Sequence, residues 1–226
     1  MSKKVFIVIA AYNEENAIGK VIDNLKKNSY RNIVVVEDGG KDNTADVAEK
    51  HGAIVLRHVI NRGQGAALKT GIDYALQEGA DIIVTFDADG QHHADEIKNL
   101  LKPIVQEKTD VALGSRFLKK NKTLPAFRKF VLKTGVLFMR VLYGIKLTDA
   151  HNGFRALSRK AALAIDITAD RMEHASEIVE EIHKKKLRYC EVPATITYSE
   201  YSLQKGQSAF NSVKIGVKLL LRKFLR

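Results

Sequence analysis

The chain has 226 residues, of which 45% are hydrophobic and 28% charged, and its formal net charge is +11. That length and apolar content suit one large globular domain and exclude a disordered or collagen-like chain. The charge excess calls for an anionic partner: nucleic acid, a phosphorylated substrate, or the negative cytoplasmic face of a membrane.

Met1-Ser2-Lys3-Lys4 leads straight into an apolar run, Val5–Ala10, without the charged and apolar regions of a signal peptide. That run reads as a buried strand. Asn13 is a candidate cap for the next helix, where Ile18, Val21, Ile22 and Leu25 fall at i, i+3, i+4 and i+7 on one face. Ile33–Val36 is the second strand and ends in Glu37-Asp38-Gly39-Gly40; Asp42 or Thr44 then caps a helix to about Glu49. Ala53–Leu56 is the third strand. Asn61-Arg62-Gly63-Gln64-Gly65 is a glycine-punctuated loop opening a helix through Leu76. Ile82–Phe86 and Val111–Gly114 are further strands, separated by a helix carrying Ile97, Leu100, Leu101 and Ile104. This alternation predicts an α/β fold with a doubly wound, mainly parallel central sheet flanked by helices.

After Arg116 the character changes. Lys119, Lys120 and Lys122 make a basic loop, and Phe127–Tyr143 reads as an apolar helix studded with cations. A polar loop, Asp149 to Arg155, enters a short strand. Ala175, Ile178, Val179 and Ile182 mark another helix; Tyr189–Val192 and Thr195–Tyr198 are expected strands separated by Pro193. The single Cys190 excludes an intramolecular disulfide and reads as a small core residue of a cytosolic protein. A final basic amphipathic helix begins near Phe210, so the chain divides into a catalytic domain over 1–209 and a C-terminal helix over 210–226. No apolar run approaches the ~20 residues that span a bilayer. If a membrane is involved, the chain lies on it.

Ligands of such sheets sit outside the carboxyl ends of the strands. Tyr12, Asn13 and Glu14, then Asp38, Gln64, Asp87 with Asp89, and Arg116 follow five successive strands. Asp87 and Asp89 stand one residue apart at the end of an apolar run, where residues i and i+2 of an extended chain point the same way. Gly90 eases the turn and Gln91 adds a neutral oxygen. A hard, oxygen-rich site of this kind suits Mg²⁺ or Mn²⁺ shared with substrate phosphates. Neither a dinucleotide-binding glycine fingerprint nor a Walker lysine motif follows the first strand.

Six motifs then fall in a familiar order: Ala-Ala-Tyr-Asn-Glu-Glu (10–15), Val-Glu-Asp-Gly-Gly-Lys-Asp-Asn-Thr (36–44), Asn-Arg-Gly-Gln-Gly-Ala-Ala (61–67), Asp-Ala-Asp-Gly-Gln-His (87–92), Gly-Ser-Arg (114–116) and Asn-Gly-Phe-Arg (152–155). Over roughly residues 5 to 210 the sequence resembles family 2 glycosyltransferases of the GT-A (Rossmann-like) fold, and within them the polyprenyl-phosphate glycosyltransferases. The resemblance implies an inverting, metal-dependent transfer of a sugar from a UDP- or GDP-sugar to a dolichyl or undecaprenyl phosphate. It implies that Ala10, Tyr12, Glu14, Asp38, Gln64, Asp87, Ala88 and Asp89 bind the nucleotide-sugar, that Asp87, Asp89 and Gln91 hold Mg²⁺ or Mn²⁺, and that Arg116 and Arg128 face the acceptor phosphate. Asp87, Asp89, Arg116 and Asp149 are the catalytic candidates. His92 is expected to support the acids from behind; Glu177 either faces the site or is a solvated charge.

The implied setting is the cytoplasmic face of a membrane, with an anionic lipid surface as partner and a small integral membrane subunit of the kind that accompanies relatives without spanning helices. The sequence departs from the family pattern at Ala10, where a proline is usual, and at Leu132, where an acceptor-side serine is usual. One alternative is a glycosyltransferase acting on a glycan hydroxyl, for which Asp149 is the candidate base. Another is a basic nucleic-acid-binding protein. That one fits poorly, because the cations lie beside aliphatic residues rather than the aromatics on which bases stack.

Overall fold

The structure is a computed structural model. It describes residues 3–119, 133–134, 136–137, 140, 144–150 and 152–197. Arg128, most of the expected 127–143 helix, Tyr198 and the 210–226 segment lie outside the described residues; Lys133, Thr134, Val136, Leu137 and Arg140 are helical, as expected.

The described strands are β1 (Val5–Ala11), β2 (Asn32–Asp38), β3 (Ile54–His58), β4 (Ile82–Asp87), β5 (Val111–Ser115), β6 (Arg155–Ser158) and β7 (Tyr189–Pro193). They form one sheet in the order β3-β2-β1-β4-β6-β5-β7. Helices are α1 (Ile18–Lys27), α2 (Thr44–Lys50), α3 (Gln64–Gln77), α4 (Ile97–Val105), α5 (Arg159–Ala164) and α6 (His174–Lys184).

Alternation along the strands sorts the core into two layers. Val8, Ile83, Val111, Leu113 and Leu157 pack with Leu68 and Ile72 of α3, Ala161 of α5 and Ile178 and Ile182 of α6. Ile7, Ile9, Val84, Phe86 and Ala156 pack on the other face with Ile22 and Leu25 of α1, Ala48 of α2 and Leu100 and Ile104 of α4. Each face therefore carries three described helices. Ile18, Ile22 and Leu25 are fully buried, and each contributes about 1.5–3 kcal/mol by leaving water.

The sheet is mainly parallel, as expected, with one exception. β6 runs antiparallel between β4 and β5, pairing Thr85 with Arg155 and Leu113 with Arg155. The reason is where the chain re-enters. β5 delivers it to the carboxyl rim at Ser115, and Arg155 picks it up beside Leu113 at that same rim. A strand that starts at the rim can only run back down.

Smaller differences have local causes. Asn13 does not cap α1, which starts at Ile18; Asn13 has φ +54° and its side-chain oxygen accepts the Lys41 N–H. Asp42 does take the Thr44 N–H at 3.0 Å at the head of α2. β3 runs on to His58 because Asp38 gives its end a partner. Thr195–Tyr198 yields one isolated bridge, Ile196 to His92, which lays this segment across the turn after β4.

Candidate active site

The carboxyl ends of β1, β2, β4 and β5 bring the expected residues to one rim. Ala10 pairs with Val36 and Asp87 in the middle of the sheet, and Tyr12 just beyond it is 46% exposed. Glu14 is buried; its N–H donates to Thr44 Oγ1 at 2.7 Å, tying the first rim loop to α2. Asp38 is also buried, and its carboxylate organises the loop before α3: Oδ1 accepts His58 Nδ1–H (2.7 Å) and the Arg62 N–H (3.0 Å), and Oδ2 accepts the Gly63 N–H (2.6 Å). That loop places Gln64 at the head of α3, whose Nε2 lies 3.4 Å from Asp87 Oδ1.

Asp87 and Asp89 are close enough to repel. Ala88 between them is buried, and Gly90 turns the chain at φ +75°, a conformation that favours glycine. Asp87 receives His92 Nε2–H at 2.8 Å. His92 is itself locked, stacked on Phe154 with centroids 5.0 Å apart and edge-on to Phe86. Burial disfavours the Asp87 charge, but His92, then Arg155 and His174, outweigh it and hold the carboxyl below its usual range. Asp89 goes the other way: burial first, and the Asp87 charge second, raise it above the usual carboxylate range, although Gln91 donates both its backbone N–H (3.0 Å) and its side-chain Nε2–H.

Two carboxylates and an amide thus converge on one turn, with electrostatic repulsion that a cation between them would relieve. Among the described residues no group of three His, Cys, Asp or Glu side chains is placed to hold a metal. Asp87, Asp89 and Gln91 offer a partial, oxygen-only ligand set, the kind that Mg²⁺ or Mn²⁺ completes with water and substrate phosphate. The residues fit the ion that the sequence implies.

One strand pair away stands Arg116, 8% exposed. Its backbone N–H and its Nε–H both donate to Asp149 Oδ2, at 3.2 and 2.6 Å. Asp149 is held in turn from β7. Glu191 Oε1 accepts the N–H groups of Thr148 (2.9 Å) and Asp149 (3.0 Å) and the Thr148 hydroxyl (2.8 Å), and that hydroxyl lies 2.6 Å from Ser115 Oγ. Glu177 does not serve as a solvated charge: it is buried and accepts from Thr168 N, Thr168 Oγ1 and Ala169 N.

Sequence reasoning missed His58, Arg155, His174 and Glu191. Arg155 lay in plain view in the Asn-Gly-Phe-Arg motif; His58 and Glu191 carry no local signal, because their partners lie on other elements, and His174 bonds the nearby Arg171 carbonyl, which does not reveal its burial beside the site. His174 is buried behind Asp87, and burial first and Arg155 second push its pKa down to about 4. It is neutral at physiological pH.

Comparison with known proteins bears on the family and the fold. The sequence profile described as "Glycosyl transferase family 2" matches residues 6–165. An uncharacterized protein of Methanocaldococcus jannaschii is 43% identical over 225 residues, covering 97% of this chain and 92% of its own. The UDP-N-acetylglucosamine–dolichyl-phosphate N-acetylglucosaminyltransferase of Methanococcus voltae is 36% identical, covering 98% of this chain and 96% of its own. Glucosyl-3-phosphoglycerate synthase of Mycobacterium tuberculosis, solved with Mn²⁺, UDP and glucosyl-3-phosphoglycerate, superposes with a TM-score of 0.73 at 19% identity, over 98% of this chain and 80% of its own; it shares the fold. The chain belongs to glycosyl transferase family 2 and is a glycosyltransferase of the GT-A fold.

Proposed function

We propose that the chain transfers a sugar from a nucleotide-diphosphate donor, a UDP-sugar, to a polyprenyl phosphate, with inversion at the anomeric carbon. The name of the 36%-identical relative supports both the donor class and the lipid acceptor. The observation that carries the reading is the state of Asp149. A hydroxyl acceptor needs a general base, and Asp149 was the candidate; yet its Oδ2 is engaged by Arg116 N–H and Nε–H in a buried pair. An acceptor that is already ionised needs no base. A phosphate monoester has its second pKa near 6, so its oxygen is anionic at neutral pH.

Each group then has a physical task. Tyr12, Glu14 and Asp38 line the nucleoside end with Ala10, Asp38 doing so by shaping the Arg62–Gly63 loop. Gln64, Asp87 and Ala88 border the sugar-diphosphate. Asp87, Asp89 and Gln91 would hold a divalent ion, which would neutralise charge on the leaving diphosphate. His92 keeps Asp87 ionised and oriented. Arg116, fixed by Asp149, faces the acceptor phosphate with a fork suited to two phosphate oxygens. Arg128 is its second cation by resemblance. The bond that forms joins a phosphate oxygen to the anomeric carbon; the bond that breaks releases the nucleoside diphosphate. Positioning and charge compensation do the work.

The setting we propose is peripheral, on the cytoplasmic membrane face. No helix of the described residues is long and apolar enough to cross a membrane. The test is a panel of UDP- and GDP-sugars with a short polyprenyl phosphate, the matching polyprenol and a glycan acceptor, with products read by mass. Glycosylated polyprenyl phosphate from a UDP-sugar, absent in EDTA and restored by Mn²⁺, is expected. Transfer to the glycan alone would overturn the acceptor assignment.

A further inference from the structure

Arg155 is 2% exposed, and among the described residues its Nη1 and Nη2 have no hydrogen-bond partner. An unpaired buried cation is among the most unfavourable features a core can hold. The sequence places it there through β6. Arg155 sits opposite Thr85 of β4 and Leu113 of β5, between the strand that carries the acidic pair and the strand that leads to Arg116. Gly153, two residues earlier and on the same face, lies against Asp87 so closely that a Cβ there would be 2.5 Å from Oδ1. Thr85 Oγ1 donates to Gly153 O and pins this approach. The charges of Asp87 and Asp149 favour the charged guanidinium, while among the described residues these acids pair with His92 and Arg116 and neither forms an ion pair with Arg155. One belongs to the donor side of the site and the other holds the acceptor-side arginine.

We propose that Arg155 is a positioning residue for glycosyl transfer: its buried charge holds Asp87 and Asp149 in a fixed relation, so that the metal-binding acids and Arg116 keep one geometry while anionic substrates enter and leave. This rests on the glycosyl-transfer reading above. It explains why an unfavourable charge occupies a position that an apolar side chain would fill more stably. Burial drives the guanidinium pKa down to about 10 and the two carboxylates oppose that shift, so the group stays charged at physiological pH.

The test compares the full chain with Arg155→Met and Arg155→Lys. Melting temperature is read without substrates, steady-state kinetics with the best donor and acceptor, and binding of Mn²⁺ plus UDP by calorimetry. A structural residue loses stability and rate together. A positioning charge separates them: Arg155→Met keeps or raises the melting temperature, because a long apolar side chain replaces an unpaired charge, while kcat falls by about 10- to 100-fold. Arg155→Lys, which keeps the charge and loses the fork, recovers most of that rate. A Met variant that turns over at the wild-type rate overturns the proposal. So does one that loses melting temperature and rate in step, with Lys no better. If the wild type makes no product, the transfer reading fails by itself, and calorimetry decides: weaker Mn²⁺–UDP binding by Arg155→Met at unchanged melting temperature upholds the role, and equal binding refutes it.

Discussion

Asp87 and Asp89 are separated by one residue, yet their surroundings drive their charges in opposite directions, and this makes Asp89 the informative position. Its carboxyl is raised by burial and by Asp87. A carboxyl whose folded pKa lies above its unfolded value favours folding when protonated and opposes it once pH rises through that value. At neutral pH, without metal, Asp89 therefore destabilises the fold. Asp89→Asn is expected to raise the melting temperature slightly at pH 7 and to abolish the further rise that Mn²⁺ gives the wild type. Turnover should fall by at least about 100-fold, since several kcal/mol of charge stabilisation are lost. A variant that is stabilised by Mn²⁺ as the wild type is would remove Asp89 from the metal site. Asp149 makes a second residue-scale test. If it orients Arg116, Asp149→Asn raises the acceptor KM several-fold and leaves kcat within about tenfold of the wild type, whereas loss of a general base would lower kcat by about 10²- to 10⁴-fold. Steady-state kinetics with acceptor and donor varied separately distinguish the two.

At the scale of elements, β7 is held to the sheet by a tie that periodicity does not reveal. Asp110, just before β5, accepts from Arg188 through its backbone N–H (3.0 Å), Nε (3.2 Å) and Nη2 (3.0 Å), with Lys160 at 3.4 Å. These contacts hold the Asp110 carboxyl down at about 2, Arg188 being the main cause. A depressed carboxylate contributes stability that is present above its unfolded pKa and is lost as pH falls through the folded one. Denaturant unfolding between pH 5 and pH 2 should therefore show Asp110→Asn less stable than the wild type by about 1 kcal/mol at the upper end, because Arg188 is exposed and screened, and the difference should shrink steadily toward the lower end. The elements that could be read in the sequence were those whose signal is local. Val5–Ala11 and Ile82–Asp87 are apolar runs, and Ile18 to Leu25 repeat at helical spacing, so β1, β4 and α1 were legible. The reversal of β6 was not, because it follows from where Ser115 and Arg155 meet the rim. Nor was the support of the site: Asp87, Asp89, Gln64 and Arg116 could be named from motifs, but Glu191 holding the 148–149 turn and Asp38 holding the 61–63 loop are contacts between distant residues that only the sheet order brings together.

The charge of the whole molecule is unevenly placed. Residues 119–140 and 213–226 together carry twelve cations and no acid, which is the entire +11 excess and slightly more. The rest of the chain, including the site, is nearly neutral. A protein that used its charge only to attract a soluble nucleotide-sugar would gain most from cations around the rim. A protein that takes a lipid phosphate from a bilayer gains from cations beside apolar residues, and both stretches have that composition. On a helical wheel of 100° per residue, Val213, Val217, Leu220, Leu221 and Phe224 fall on one side, while Lys214, Lys218, Arg222 and Arg226 gather on another, with Ile215 and Leu225 among them. This is the pattern of an interfacial helix. A cation near an anionic leaflet contributes about 1 kcal/mol, so the five cations of 213–226 would be enough to hold the protein against such a surface. The segment lies outside the described residues. The protein should sediment with anionic vesicles and not with neutral ones, and high salt should release it. Deleting residues 213–226 should lower activity on long-chain polyprenyl phosphates far more than on short, water-soluble ones. Equal loss on both would mean that the segment supports the fold, and the membrane role of this end of the chain would have to be abandoned.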